Sequence, residues 1–171
     1  DGSTGYDVEY PLQLGSFDPD FHDASWNVQP LPFANMWDRY PMINGRGYPD
    51  TINPGDITNM KVDEALGGGA YPSQKQNAII EATAGQRVLL RLSNVSLSDF
   101  HTITVLGVPM RVVGKDAKLL RGPTGLDLTY ETTSVTFGPG ETTDVILNTT
   151  GVPRGTYFLY DARLNHLSND Q

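Results

Sequence analysis

The chain has 171 residues, no cysteine, 12 Lys and Arg against 20 Asp and Glu, and a formal charge of -8. These values exclude thiol nucleophiles, disulfides, cysteine-based zinc clusters and any metal centre built on a thiolate, and the acidic surface disfavours nucleic acid and anionic lipid. The length suits one domain with its own core, and no apolar run is long enough to insert in a membrane as a helix.

Eighteen Gly and twelve Pro divide the sequence into short segments, the spacing of an all-β sandwich or barrel. The opening Asp1-Gly2-Ser3, without a Met, reads as that of a mature, trimmed or excised chain. Tyr6 to Leu14 alternates partly and stops at Gly15, a first strand. Ser16 to Tyr40 mixes Pro, Asp and aromatic residues without a period and predicts a long ordered loop, of the kind found at interfaces or sites. Trp26, Phe33, Trp37 and Tyr40 crowd it, to stack on a sugar or phenolic ring or, as preferred here, to pin the loop against the barrel or a neighbouring domain. Ile57 to Leu66 is the one candidate helix, stopped by Gly67-Gly68-Gly69, which lacks the Lys-Ser/Thr of a phosphate loop.

Gln86 to Val95 places Val88, Leu90 and Leu92 on one face and Arg87 and Arg91 on the other, which implies one wet side. His101 to Val105 groups His101, Ile103 and Val105, and Pro109 to Val113 follows a bend. Ser134 to Phe137 leads into the turn Gly138-Pro139-Gly140, and Thr142 to Leu147 and Gly155 to Tyr160 complete the strands. No Gly-x-Ser-x-Gly supports a hydrolase, and the many acids make any chosen glycosidase pair uninformative. Asn94-Val95-Ser96 and Asn148-Thr149-Thr150 match the glycan acceptor pattern.

Three segments, in order, carry a family resemblance. Met42-Ile43-Asn44-Gly45-Arg46-Gly47-Tyr48-Pro49-Asp50-Thr51 resembles an Ile-Asn-Gly…Tyr-Pro-Asp-Thr segment. Gly85-Gln86-Arg87-Val88-Leu89-Leu90-Arg91-Leu92-Ser93-Asn94 is similar to an Arg-Val-x-x-Arg-Leu-x-Asn strand. Gly138-Pro139-Gly140-Glu141-Thr142-Thr143-Asp144 resembles a Pro-Gly-Glu-x-x-Asp turn. All three are those of multicopper oxidases, the laccase-like enzymes. The matches cover roughly residues 42 to 171, and Glu9-Tyr10-Pro11-Leu12 with Asp18-Pro19-Asp20-Phe21-His22 looks like the start of a middle domain. The resemblance implies a cupredoxin-like, mostly antiparallel Greek-key barrel or sandwich. A single domain is expected over 1–171, with an opening strand and aromatic loop over 1–41 and the main barrel over 42–171.

Taken residue by residue, the resemblance places His101 at a type 1 copper ligand position and Thr104 and Leu106 at two positions of the trinuclear cluster. Asp161 falls at the Cys position, Tyr160 and Ala162 at flanking cluster histidines, His166 at the second type 1 His and Gln171 at a weak axial position. Three histidines in all (His22, His101 and His166) and no thiolate exclude oxygen reduction by this chain alone. The remnant His101, Asp161 and His166, with Gln171, is either a weak mononuclear metal site or, as preferred here, a set of groups hydrogen-bonded inside or at the rim of the barrel. The expected role is therefore that of a copper-free middle domain. It would space and support other cupredoxin domains of an extracytoplasmic enzyme whose copper lies elsewhere. The alternatives are a stand-alone binding module for carbohydrate or protein, and a mononuclear copper- or zinc-binding domain.

Overall fold

A computed structural model describes residues 4–54 and 74–167. The candidate helix at Ile57 to Leu66 and the axial candidate Gln171 lie outside the described residues. The strands are β1 (Val8–Gly15), β2 (Met42–Ile43), β3 (Arg87–Asn94), β4 (His101–Val105), β5 (Met110–Lys115), β6 (Lys118–Leu119), β7 (Tyr130–Thr132), β8 (Ser134–Phe137), β9 (Thr142–Asn148) and β10 (Leu159–Asp161). One sheet runs β2-β1-β3-β9-β5-β6 with β7 also on β5, and the other runs β10-β4-β8. The chain crosses between the sheets at β3–β4, β4–β5, β7–β8, β8–β9 and β9–β10, the connectivity of a Greek-key cupredoxin sandwich. Among the described residues all pairings are antiparallel except β1 with β3, where Tyr10 lies beside Leu90 and Leu12 beside Leu92.

Alternation dictates the core. Leu12 and Leu14, Val88, Leu90 and Leu92, Ile103 and Val105, and Val145 and Leu147 are spaced two apart on their strands and point into one cluster with Met110, Val112, Val135 and Phe137. The opposite face of the larger sheet is not uniformly wet. Leu89, Val113 and Ile146 bury a small second patch beneath which only part of the surface, including the Arg91–Glu9 pair at 3.3 Å, faces water. Pro11 is tolerated in β1 because β2 pairs only with Leu14 and Gly15, so the Pro lies on a stretch of edge that needs no donor.

Two further expectations are corrected, and one hairpin carries no local mark in the sequence. The segment after β1 contains a helix, α1 (Pro19–Trp26), which residue periodicity does not reveal because none of its side chains is buried. Its signal is local: Pro19 starts it, and the Asp18 carboxylate accepts from the N–H groups of Asp20 and Phe21 while its other oxygen accepts from Trp37 N–H at 2.8 Å. The last strand is shorter than expected, because the Tyr157 hydroxyl donates to the Pro153 carbonyl at 2.7 Å and holds this Pro- and Gly-bearing stretch as a loop. The hairpin β5–β6 turns on Asp116 and Ala117, both at positive φ (48° and 61°), where Asn-Gly is the usual signal.

Two of the resembling segments meet directly, Arg87–Asn94 with the turn and strand from Gly138 on, while the first reaches them through β1. Asn44, at φ 54°, accepts from Gln13 N–H at 2.8 Å and donates to the Pro11 and Asn77 carbonyls, so it extends the edge of β1 with its side chain. Arg46 is buried and donates to the carbonyls of Asn53 and Gln74. Buried Asn94 ends β3, and its side-chain amide donates to the carbonyls of Asp99 (2.8 Å) and Phe137 (3.2 Å) while its oxygen accepts from Ser96. Its backbone exchanges hydrogen bonds with Glu141 and Gly140 of the following turn. A Cβ at Gly138 would lie 2.8 Å from the ring of Phe100, so a larger residue there would have to displace that exposed ring.

This lock predicts that Asn94→Asp, which turns a second oxygen toward two carbonyls, destabilises the chain by about 2–4 kcal/mol at neutral pH, read as a lower urea midpoint with unchanged slope. A change within about 0.5 kcal/mol would remove Asn94 from this role.

Candidate functional site

The Asn94 lock positions the site. By holding the Asp99 carbonyl it sets the turn that enters β4, and β4 begins at His101. From the other side, β10 pairs antiparallel with β4, matching Tyr160 with Thr104 and Asp161 with Ile103. The chain then makes a short 3-10 turn (Leu164–Leu167) that carries His166 back toward Asp161. Thus His101, Asp161 and His166, separated by up to 65 positions, converge with ligand-type atoms within 4.8 Å of one another.

Their geometry is specific. Asp161 Oδ2 lies 2.7 Å from His101 Nδ1 and 2.6 Å from His166 Nδ1. Its other oxygen accepts from the backbone N–H groups of Thr102 (3.1 Å) and Arg163 (3.0 Å). Burial alone would raise the Asp161 carboxyl pKa. The hydrogen bonds from His101 and His166, followed by those from Arg163 and Thr102, outweigh it and hold the group well below the usual carboxylate range. An ionised carboxylate only accepts, so each Nδ1 is the donor and both rings are oriented by one oxygen. The relative exposures of His101, Asp161 and His166 are 2%, 7% and 8%, so this charge is satisfied by protein and not by water.

The outer nitrogens differ. Among the described residues neither buried Nε2 has a hydrogen-bond partner, but His166 Nε2 lies 3.7 Å from Asp99 Oδ2, whose other oxygen holds Arg163 at 2.6 Å. The rings sit 4.9 Å apart at 51°. They border an apolar cavity of about 590 Å³ lined by Leu14, Met42, Ile43, Ile103 and Leu159 among others. A second apolar cavity of about 800 Å³ shares Ile43, Thr51, Ile52, Phe158 and Leu159 with it, along the seam between the two sheets.

The third histidine, His22, is elsewhere, stacked on Phe17 at 4.2 Å. Thr104 donates to the Thr133 carbonyl and Leu106 is exposed. Ser96 is occupied by Asn94 and Asp99, which leaves it no part in a nucleophilic arrangement with His101. Asn94, being buried, is not a glycan acceptor in the folded chain, whereas Asn148 is exposed. Asp99 and Arg163 were missed in the sequence. Nothing in their local pattern marks them, and only the return of the 3-10 turn brings them to His166.

Copper of the two kinds used by laccase-like enzymes does not fit this residue set. Type 1 copper needs a thiolate and a trinuclear cluster needs a shell of histidines, while the chain has no Cys and three His, of which two are here. The oxygen of Asp161 already lies between the two Nδ1 atoms.

Two open β-sheets with crossing connections around one core define a cupredoxin fold, and comparison supports it. The blue copper oxidase from Nitrosomonas europaea superposes with a TM-score of 0.62 at 20% identity, covering 94% of this chain and 39% of that one. The multicopper oxidase family model matches residues 33–171, and the chain belongs to that family. Laccase-12 of Arabidopsis thaliana is 29% identical over 134 residues, 77% of this chain and 20% of the relative. Laccase-11 of the same plant is 34% identical over 93 residues, 54% of this chain and 15% of the relative. The chain therefore spans about a fifth or less of the length of these laccases.

Asp161→Asn tests the site, because a single amide oxygen serves either the two rings or the two backbone donors. A loss of about 3 kcal/mol at pH 7 is expected. A depressed native pKa stabilises above the unfolded carboxylate value, about 4, and that contribution is lost as pH falls further. The gap between wild type and Asp161→Asn in urea midpoint should thus hold above about pH 5 and narrow below about pH 4. His101, His166, Asp99 and Arg163 are the charged and titratable groups facing the carboxylate or its partners. A gap that widens on acidification would contradict the assignment.

Proposed function

We propose that residues 1–171 form one copper-free cupredoxin domain, of the middle-domain type, within a longer multicopper oxidase, where it spaces and supports sibling domains that hold the copper. The observation that supports this reading is the carboxylate of Asp161, hydrogen-bonded to both His101 and His166, at the position that the resemblance assigns to the family's thiolate. By kinship, the whole enzyme would oxidise phenols, amines or metal ions one electron at a time and reduce oxygen to water, in an extracytoplasmic location. Among the described residues no helix is long and apolar enough to cross a membrane.

The contact surface is the loop around α1. Trp26, Phe33 and Trp37 are 87%, 70% and 64% exposed, so they do not pin the loop to its own barrel. The base of the loop is secured separately, by Asp18, by Ser16 on Asp38 at 2.7 Å and by Arg39 on Asp20 at 2.9 Å. A fixed scaffold that offers large rings to the outside suits a partner surface, and sibling domains account for the four-fifths of a laccase that this chain does not span.

Replacing Trp26 and Trp37 together by Ser should change the stability of the 171-residue chain by no more than about 0.5 kcal/mol per site. In the longer polypeptide the same variant should lower the thermal midpoint and speed proteolysis at the domain junctions. An unchanged longer polypeptide, with binding of a carbohydrate or separate protein lost instead, would favour the stand-alone binding module.

A further inference from the structure

We propose that Asp161 Oδ2 takes the place of a bound cation, and that the two imidazoles around it form a latent divalent-cation site that this carboxylate keeps closed. The inference rests on the copper-free reading above. A metal held by two imidazoles lies about 2.0–2.1 Å from each nitrogen, so the nitrogens are at most about 4.2 Å apart. Here one oxygen lies 2.7 and 2.6 Å from the two Nδ1 atoms, whose ligand set falls within 4.8 Å. The rings therefore converge on one point, as ligands do, and a modest inward shift of each would match metal distances.

The polarity at that point is reversed. A cation needs a lone pair from each Nδ1, whereas the carboxylate needs a hydrogen from each. The two states exclude one another: with Asp161 in place, an ion must displace the oxygen and each Nδ1 must give up its hydrogen. Once the carboxylate is removed, a neutral ring needs only to move its hydrogen from Nδ1 to Nε2, with no net proton released. Among the described residues neither buried Nε2 is engaged in a hydrogen bond that the change would have to break, although at His101 the relocated hydrogen finds no acceptor. For His166 the Asp99 carboxylate at 3.7 Å is positioned to receive the relocated hydrogen, the arrangement by which carboxylates orient metal-bound imidazoles.

A cavity borders the point between the rings, and a shortened side chain at 161 would leave space there for a small exogenous ligand. The wild-type carboxylate thus performs a cation's structural task, joining β4 to the 3-10 turn after β10, without dependence on metal supply.

The test is titration of the 171-residue chain, which closes its own two-sheet core, with Cu(II) and separately with Zn(II). The wild-type chain should bind no ion stoichiometrically. Asp161→Ala should bind one Cu(II) at least ~100-fold more tightly than wild type, with two nitrogen donors in its paramagnetic resonance spectrum, and His166→Ala added to it should abolish binding. Zn(II) should raise the thermal midpoint of Asp161→Ala and leave wild type unchanged. Should Asp161→Ala fail to fold without metal, Asp161→Cys keeps a polar hydrogen-bonding group at this position and, once Cu(II) displaces its thiol proton, should give an intense sulfur-to-copper absorption. A folded Asp161→Ala or Asp161→Cys that binds no metal through these histidines overturns the inference and leaves the copper-free reading standing. Stoichiometric binding by wild type, lost in His101→Ala, overturns that reading and the inference with it.

Discussion

A carboxylate withdrawn from water must have its oxygens occupied by donors, and the way Asp161 meets that demand organises this end of the sandwich. Its two oxygens receive four hydrogen bonds, from two imidazoles and two backbone N–H groups. To supply them, the start of β4, the end of β10 and the 3-10 turn must all be present together. Removing any one donor leaves part of a buried charge unmatched, which costs far more than the net worth of an ordinary hydrogen bond. The neighbouring Asn94 lock works in the same manner with neutral groups, holding the ends of β3, β8 and the turn before β4 by a single amide.

This arrangement orders two buried imidazoles from one point, so this end of the sandwich is held together by protein groups. Ion and carboxylate are opposite in charge, but each can orient two imidazoles from one point. The carboxylate adds two backbone contacts that an ion between the rings could not make. What it cannot supply is redox chemistry, and that limitation is consistent with a supporting role beside domains that carry copper.

The two surfaces around the site divide between stability and association. The cavities along the sheet seam are lined by side chains also engaged in the core, such as Leu12, Leu14 and Ile103. Trp26, Phe33 and Trp37 of the α1 segment lie outside that core and stand largely in water in this chain alone. A polar staple of Asp18, Ser16, Asp38 and Arg39 holds the segment in place, which leaves its large rings available for contact.

Much of this was legible in the residues. Alternation in 86–95, 101–105, 134–137 and 142–147 locates strands because a half-buried sheet imposes a two-residue period, and the absence of Cys bounds the chemistry through ligand type alone. The ordered segments and the family register also place His101, Asp161 and His166 at related positions. Helix α1 escaped that reading because it buries none of its side chains and so has no apolar period, leaving only Asp18-Pro19 as its mark. Asp116-Ala117 concealed a hairpin by adopting positive φ without glycine. Only the tertiary structure decided that one oxygen would bridge both rings, that Asp99 and Arg163 would close the outer side, and that Trp26, Phe33 and Trp37 would face outward. The physical reason is that each of these outcomes depends on distances between segments far apart in the chain, and those distances are set by β4–β10 register and by the turn that returns His166, neither of which any local pattern encodes.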